Sequence, residues 1–306
     1  MADTKALPSM TVKTAAKINL ALDVTGRLPD GYHAIESVFQ TVGIYDTVSV
    51  TLTGGEIGVS CAVRRDFSKN DPIPAGKGNI AYKAAELFYE TTGLQKGCII
   101  HISKDIPSQA GMGGGSTDAA AVLYCLNKLT GAGLDEGQLT EMGAKIGADV
   151  PFFFTGGTAY VSGIGEKIAP AADYSGRILV IAKGTEGVST AQAYRSIDEL
   201  ETPYHPDTAG LLRALEQSPD EAWRYFGNTF EAAVQLDEVD RLKSAMLNKD
   251  ALKANMTGSG SAVFGLFESR EAADICADKL RSWGFWAEVC ETVPESFIIP
   301  EQHAVW

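Results

Sequence analysis

A chain of 306 residues exceeds what one hydrophobic core usually organises, so its length favours two domains with a cleft available between them. With 26 basic against 39 acidic side chains the formal net charge is −13, which repels nucleic-acid backbones and anionic lipid surfaces, so any phosphate-bearing ligand needs a strong local anion site. No apolar run approaches the roughly 20 residues that span a bilayer, and the opening MADTKALPSM lacks the layout of a secretory signal, so the expected location is cytoplasmic.

In chain order, the near-alternating apolar pattern of Val12 to Val24 predicts a strand. After the turn-rich Gly26 to Tyr32, Ile35 to Leu52 predicts two more strand-like runs. Asn79 to Thr91 has helical spacing with Gly93 as its stop, and Cys98 to Ser103 is a short β-branched run of strand type. A helix is expected from Ser116 through Leu129, with Ser116 or Thr117 as cap and Gly131 as stop, and another from about Leu134 to Ile146.

Thr158 to Ser162 reads as a strand and Gly163 to Asp173 as a loop before the strand Arg177 to Ala182, which places the expected domain boundary near residue 172, dividing the chain into 1–172 and 173–306. Beyond it come several helical patterns up to Asn248, strands at Ala251 to Met256 and Ala262 to Phe267, a helix at Arg270 to Trp283 and a strand at Phe285 to Cys290. Strands and helices alternate without the rhythm of a doubly wound sheet, so the expected class is α+β. Cys61, Cys98, Cys125, Cys276 and Cys290 are scattered and never spaced as Cys-x-x-Cys, which predicts small buried hydrophobes rather than disulfides or a zinc site. His101, His205 and His303 likewise show no ligand spacing.

The segment Ile106 to Asp118, IPSQAGMGGGSTD, follows a strand and opens into an Ala-rich helix. Free amides at a helix N-terminus and the positive end of its dipole attract phosphate, and glycines let the backbone approach closely. It is neither a Gly-x4-Gly-Lys-Ser/Thr loop nor a Gly-x-Gly-x-x-Gly fingerprint.

PSQAGMGGGSTDAAAVL closely resembles the central motif of the GHMP kinases, named for galactokinase, homoserine kinase, mevalonate kinase and phosphomevalonate kinase. Ala16 to Leu20 resembles the family's first motif and Met256 to Ser261 its third. Arg27-Leu-Pro-Asp-Gly-Tyr-His33 and Gly147-Ala-Asp-Val-Pro-Phe-Phe153 look like the branch that phosphorylates a cytidine-diphosphate-linked methylerythritol in the non-mevalonate route to isoprenoids. The departures are Met112 for leucine, Thr117 and Asp118 for Ser-Asn or Ser-Asp, and Thr257 for serine.

The resemblance implies a two-domain α+β fold, with an N-terminal domain like the second domain of ribosomal protein S5 and a ferredoxin-like C-terminal domain. It implies ATP over Pro107, Gly111, Met112, Gly113, Gly114, Gly115, Ser116 and Thr117, with Asn79 and Lys104 near the adenosine. Asp149 becomes the catalytic base, Lys17 an assisting cation, and Asn19 a neighbour of the substrate. The cytidine would lie against Tyr32 and His33, with Tyr194 as a second aromatic wall. ATP and the alcohol are then the only partners, with no nucleic acid and no membrane, and the chain a monomer or weak homodimer. Magnesium would arrive with ATP and be held mainly by phosphates and water, with Ser116 or Asp118 as a protein contact, a choice spacing leaves open. A homoserine or mevalonate kinase, or a non-catalytic sensor on the same fold, are the alternatives; the first needs no aromatic base pocket and the second no Lys17–Asp149 pair.

Overall fold

The computed structural model describes residues 7–63, 74, 76–94 and 97–300. The chain runs β1 (Ser9–Arg27), β2 (His33–Thr53), β3 (Gly58–Val63), α1 (Ile80–Thr92), β4 (Gly97–Lys104), α2 (Gly114–Thr130) and α3 (Glu136–Ile146). It continues through α4 (Phe152–Thr155), β5 (Thr158–Gly163), β6 (Lys167–Pro170), β7 (Ile178–Lys183), α5 (Thr190–Asp198), α6 (Thr208–Gln217), β8 (Gly227–Asn228) and α7 (Phe230–Ala233). It ends with α8 (Asp237–Leu247), β9 (Lys253–Met256), β10 (Val263–Phe267), α9 (Arg270–Ser282), β11 (Trp286–Glu291) and β12 (Phe297–Ile298).

The first sheet is built on one long antiparallel hairpin. Strands β1 and β2 pair from Ser9↔Thr51 to Arg27↔His33, with three register shifts that bend the ribbon. The two runs expected between residues 35 and 52 are therefore one strand of 21 residues. Gly43, within that strand, sits where a side chain would meet the Glu291 carbonyl oxygen at 3.3 Å, so the glycine admits a crossing chain. Along this sheet the order is β12-β1-β2-β4-β3, with β5 and β6 attached through β2 and β8 through β1. Helices α1 and α2 pack on each other, and α2 lies against β1 and β2.

The second sheet has the order β11-β7-β10-β9, all neighbours antiparallel. In chain order β7 is followed, after α5 to α8, by β9 and β10, and α9 connects β10 to β11; with α8 packed on the sheet this gives the β-α-β-β-α-β order of a ferredoxin-like unit. This is the α+β architecture the sequence implied.

Two local expectations are corrected. Helix α2 starts at Gly114, its cap is Gly113 in the left-handed region, and no side chain caps it, so neither Ser116 nor Thr117 is the cap. Thr117 already makes a helical bond to the Gly113 carbonyl at 2.9 Å, and its hydroxyl bonds that of Thr14 across to β1. The stretch Gly163 to Asp173 is not all loop, because β6 pairs back on β5 with Val161 opposite Ile168. A four-residue strand ending in proline carries too short a pattern to stand out.

Both hydrophobic cores draw on both halves of the chain. One joins Phe39, Phe88 and Phe152 to Val180, Val263 and Phe285, and the other joins Ile18, Leu20 and Val38 to Ile181, Leu211 and Phe264. Four of the cysteines are buried and Cys61 half-buried, all unpaired. Among the described residues no helix is long and apolar enough to cross a membrane; His303 lies outside them.

Candidate active site

The glycine loop separates two cavities. The smaller, about 310 Å³, is bounded by Asn79, Lys104, Pro107 and the run Gly111 to Gly115. The larger, about 600 Å³, holds Lys17, Asn19, Tyr32, His33, Asp149 and Tyr194. Gly111 and Gly113 line both, so the loop backbone is a shared wall with a chamber on each side.

The loop takes this path because its residues can. At Gly113 φ is +71°, and a Cβ there would meet Phe153 Cζ at 2.9 Å and Lys17 Cγ at 3.1 Å. Glycine thus places the uncapped N-terminus of α2, 17 residues long, beside Lys17. Gly111, also at +71°, brings the loop against the third motif: a Cβ there would overlap the Thr257 carbonyl oxygen at 2.1 Å.

Lys17 and Asn19 are two apart on β1 and share one face. The buried Lys17 Nζ donates to Asn19 Oδ1 at 2.8 Å, sits 4.4 Å from the Phe39 ring centroid, and lies 3.5 Å from Asp149 Oδ2. Asp149 comes from the turn after α3, where Gly147 is the C-terminal cap, and its side chain is one-third exposed. Asn19 is a bracket as well as a cavity residue: Oδ1 also accepts from Thr257 Oγ1 at 3.1 Å and the Gly258 amide at 2.9 Å, while Nδ2 donates to Ser37. First and third motifs are thereby tied together beside the Lys17–Asp149 pair. Asn228, which sequence reasoning missed, holds the third motif from behind by donating to the Met256 and Gly258 carbonyls.

At the far end of the larger cavity, His33 and Tyr194 stack on each other with ring centroids 4.6 Å apart and planes at 20°. No base fits between those two rings at that spacing. Tyr32 is 61% exposed and lines the same cavity. Burial, with the negative charge of Asp149 adding to it, pushes the Tyr194 hydroxyl up to about 12.

Under the smaller cavity lies a triad with no motif to announce it. The buried ammonium of Lys104 bonds Asp46 and, at 2.7 Å, Asp118 Oδ2. Asp46 Oδ1 accepts the amides of Asp105 and Ile106, fixing the strand end that launches the loop. Two carboxylates share one lysine, and burial dominates: the Asp118 carboxyl rises to about 8 and Asp46 also rises, while the two carboxylates raise Lys104. Asp118 Oδ1 is buried and has no hydrogen-bond partner among the described residues. Asn79 caps α1, its Oδ1 accepting the Ala81 amide at 2.8 Å and its Nδ2 donating to the Pro74 carbonyl. The charge-bearing residues were visible in the sequence; their convergence was not, because β2, β4 and α2 bring them from 58 and 14 residues apart.

Residues 79–157 match the GHMP kinases N terminal domain and residues 207–284 the GHMP kinases C terminal domain. A Clostridium tetani protein is 40% identical over 277 residues, covering 89% of this chain and 96% of its own. The chain belongs to the GHMP kinase family. That relative carries the name 4-diphosphocytidyl-2-C-methyl-D-erythritol kinase, as does one from Desulfitobacterium hafniense, 42% identical over 282 residues, covering 91% of this chain and 94% of its own. A crystal structure of 4-(cytidine 5'-diphospho)-2C-methyl-D-erythritol kinase superposes with a TM-score of 0.74 at 31% identity, covering 92% of this chain and 99% of that one. A homoserine kinase from Cytophaga hutchinsonii gives 0.76 at 18% identity over 98% and 99% of the two chains, a likeness of fold alone.

Proposed function

We propose that this GHMP kinase transfers the γ-phosphoryl group of ATP to the 2-hydroxyl of 4-diphosphocytidyl-2-C-methyl-D-erythritol, a step of the non-mevalonate isoprenoid pathway. One observation carries the reading: the glycine loop is a common wall between two cavities, and the Lys17–Asp149 pair stands on one side of it. Such a wall lets a nucleotide on one side deliver its terminal phosphate to an alcohol on the other. The names of relatives at 40% and 42% identity select the alcohol.

In this reading the triphosphate lies over the uncapped amides at the start of α2, whose N–H groups and dipole face negative charge. The alcohol enters the larger cavity with its cytidine end toward Tyr32, His33 and Tyr194. Its hydroxyl oxygen bonds to the γ-phosphorus as the bond from phosphorus to the bridging oxygen of ADP breaks, through a loose transition state stabilised by position and charge. A carboxylate is too weak a base to ionise a free alcohol, the gap being roughly 12 pH units. Asp149 therefore takes the proton late, once bonding to phosphorus has made the oxygen acidic. Lys17, fixed by Asn19 and Phe39, orients Asp149 and offers positive charge to the transferring group.

Among the described residues no group of three His, Cys, Asp or Glu side chains could cage a metal ion. The donor set suits a magnesium ion held chiefly by phosphate oxygens and water, since Asp118 lines the smaller cavity but is committed to Lys104, and Ser116 lines neither cavity. Such an ion would neutralise charge between the β and γ phosphates.

Purified protein supplied with ATP should release ADP only when the cytidylated alcohol is added. Equal turnover with homoserine or mevalonate would refute the assignment.

A further inference from the structure

Helix α5 grips His33 from two directions. Tyr194 and Asp198 are four residues apart and so share a face of the helix. Tyr194 covers one face of the imidazole, while Asp198 Oδ1 lies 2.7 Å from its Nε2. The other Asp198 oxygen lies 3.5 Å from the Arg27 guanidinium. The His33 hydrogen bond, with the Arg27 guanidinium adding to it, holds the Asp198 carboxyl below the usual range. Tyr194, Asp198 and His33 all line the larger cavity, and none of the described residues is a hydrogen-bond partner of His33 Nδ1.

We infer that Asp198 is a positioning residue: it fixes the His33 proton on Nε2 and so leaves Nδ1 as an acceptor for the exocyclic amine of cytosine, which distinguishes cytosine from uracil. The inference rests on the larger cavity receiving the cytidine end of the substrate. A carboxylate can only accept, so the shared hydrogen belongs to Nε2 and the neutral ring carries its lone pair on Nδ1. Cytosine presents an amino donor at position 4 where uracil presents a carbonyl acceptor. An acceptor on the protein therefore matches the first base and opposes the second, and a site built to pair with a substrate N–H rejects the analogue that lacks it. Because Tyr194 occupies one face of His33, the base meets the edge of the imidazole there rather than that face.

The test compares kcat and KM for the cytidylated alcohol and its uridylated analogue in the wild type and in Asp198→Ala, with ATP kinetics and a melting curve for each. The wild type should prefer the cytidylated alcohol by more than tenfold in kcat/KM. In Asp198→Ala, loss of the fixed hydrogen bond should raise KM for that substrate about tenfold. The KM for ATP should stay unchanged, and the preference over the uridylated analogue should largely disappear. Imidazole ¹⁵N spectra of the wild type should show the proton on Nε2 of His33 and a mixture of tautomers in the variant. An undiminished preference in Asp198→Ala, or a wild-type proton on Nδ1, overturns the role of Asp198 alone. A wild type that takes both nucleotides equally overturns the cytidine reading of the cavity as well.

Discussion

Lys17 and Asp149 are unequal in their surroundings, and that inequality fits the two roles proposed for them. Lys17 is buried and held by Asn19 and an aromatic face, whereas Asp149 is one-third open to the cavity, where an incoming hydroxyl can reach it. Asp149→Asn keeps the shape and removes the proton acceptor, so kcat should fall by about 10²–10⁴-fold while ATP affinity by calorimetry stays within about twofold. Near-normal turnover would remove Asp149 from the base role. The triad beneath the smaller cavity gives a second outcome at this scale. Asp118 is an acid whose folded pKa is raised, chiefly by burial, to about 8. Its contribution to stability is therefore fully present below the ordinary carboxylate range and is lost as pH rises toward 8. Asp118→Asn imitates the protonated acid, so the melting temperature of the wild type should fall relative to the variant between pH 5 and pH 8, the difference levelling off above. A difference that stays constant across that range would mean Asp118 is ionised throughout. Lys17, Asp149 and the loop glycines were legible because each stands in a motif; Asp46 and Asp198 were not, since their partners lie 58 and 165 residues away.

Among elements, the decisive one is the turn from β4 into α2. The sequence revealed strand, glycines and helix, but misplaced the helix start by two residues because Ser and Thr are the common caps and the glycines were read as loop. The structural answer leaves the first amides of α2 uncapped, which is what an anion site requires. Gly113→Ala should show this dependence. A methyl group at φ +71° is strained and would press on Phe153 and on the stem of Lys17. We expect a loss of at least about tenfold in kcat and of roughly 1–2 kcal/mol in stability by chemical denaturation, from the left-handed backbone penalty. Unchanged kinetics would show that the loop can move without disturbing Lys17. The short strands escaped the sequence for a different reason. β8 and β12 have two residues each and β6 four, too few for any period to register.

In the whole molecule, those short strands matter more than their length suggests. β8 adds in parallel to β1 at Ala21 and Leu22, and β12 adds antiparallel at Lys13 and Thr14, so the last third of the chain closes the sheet begun by the first residues. Asn19 and Thr257 repeat the connection at the site, 238 residues apart. A fragment of residues 1–172 would lack β8, β12, Phe230 and the third motif. Expressed alone it should show no cooperative melting transition, while the full chain unfolds in one step by circular dichroism; a fragment with its own sharp transition would contradict this. The most direct test of the account is a crystal structure with a non-hydrolysable ATP analogue and the cytidylated alcohol bound together. The terminal phosphate should lie over Gly113 to Gly115 at the start of α2, with the acceptor hydroxyl ~2.6–3.2 Å from the Asp149 carboxylate. Both ligands on the same side of the glycine loop, or a hydroxyl beyond hydrogen-bond reach of Asp149, would contradict it.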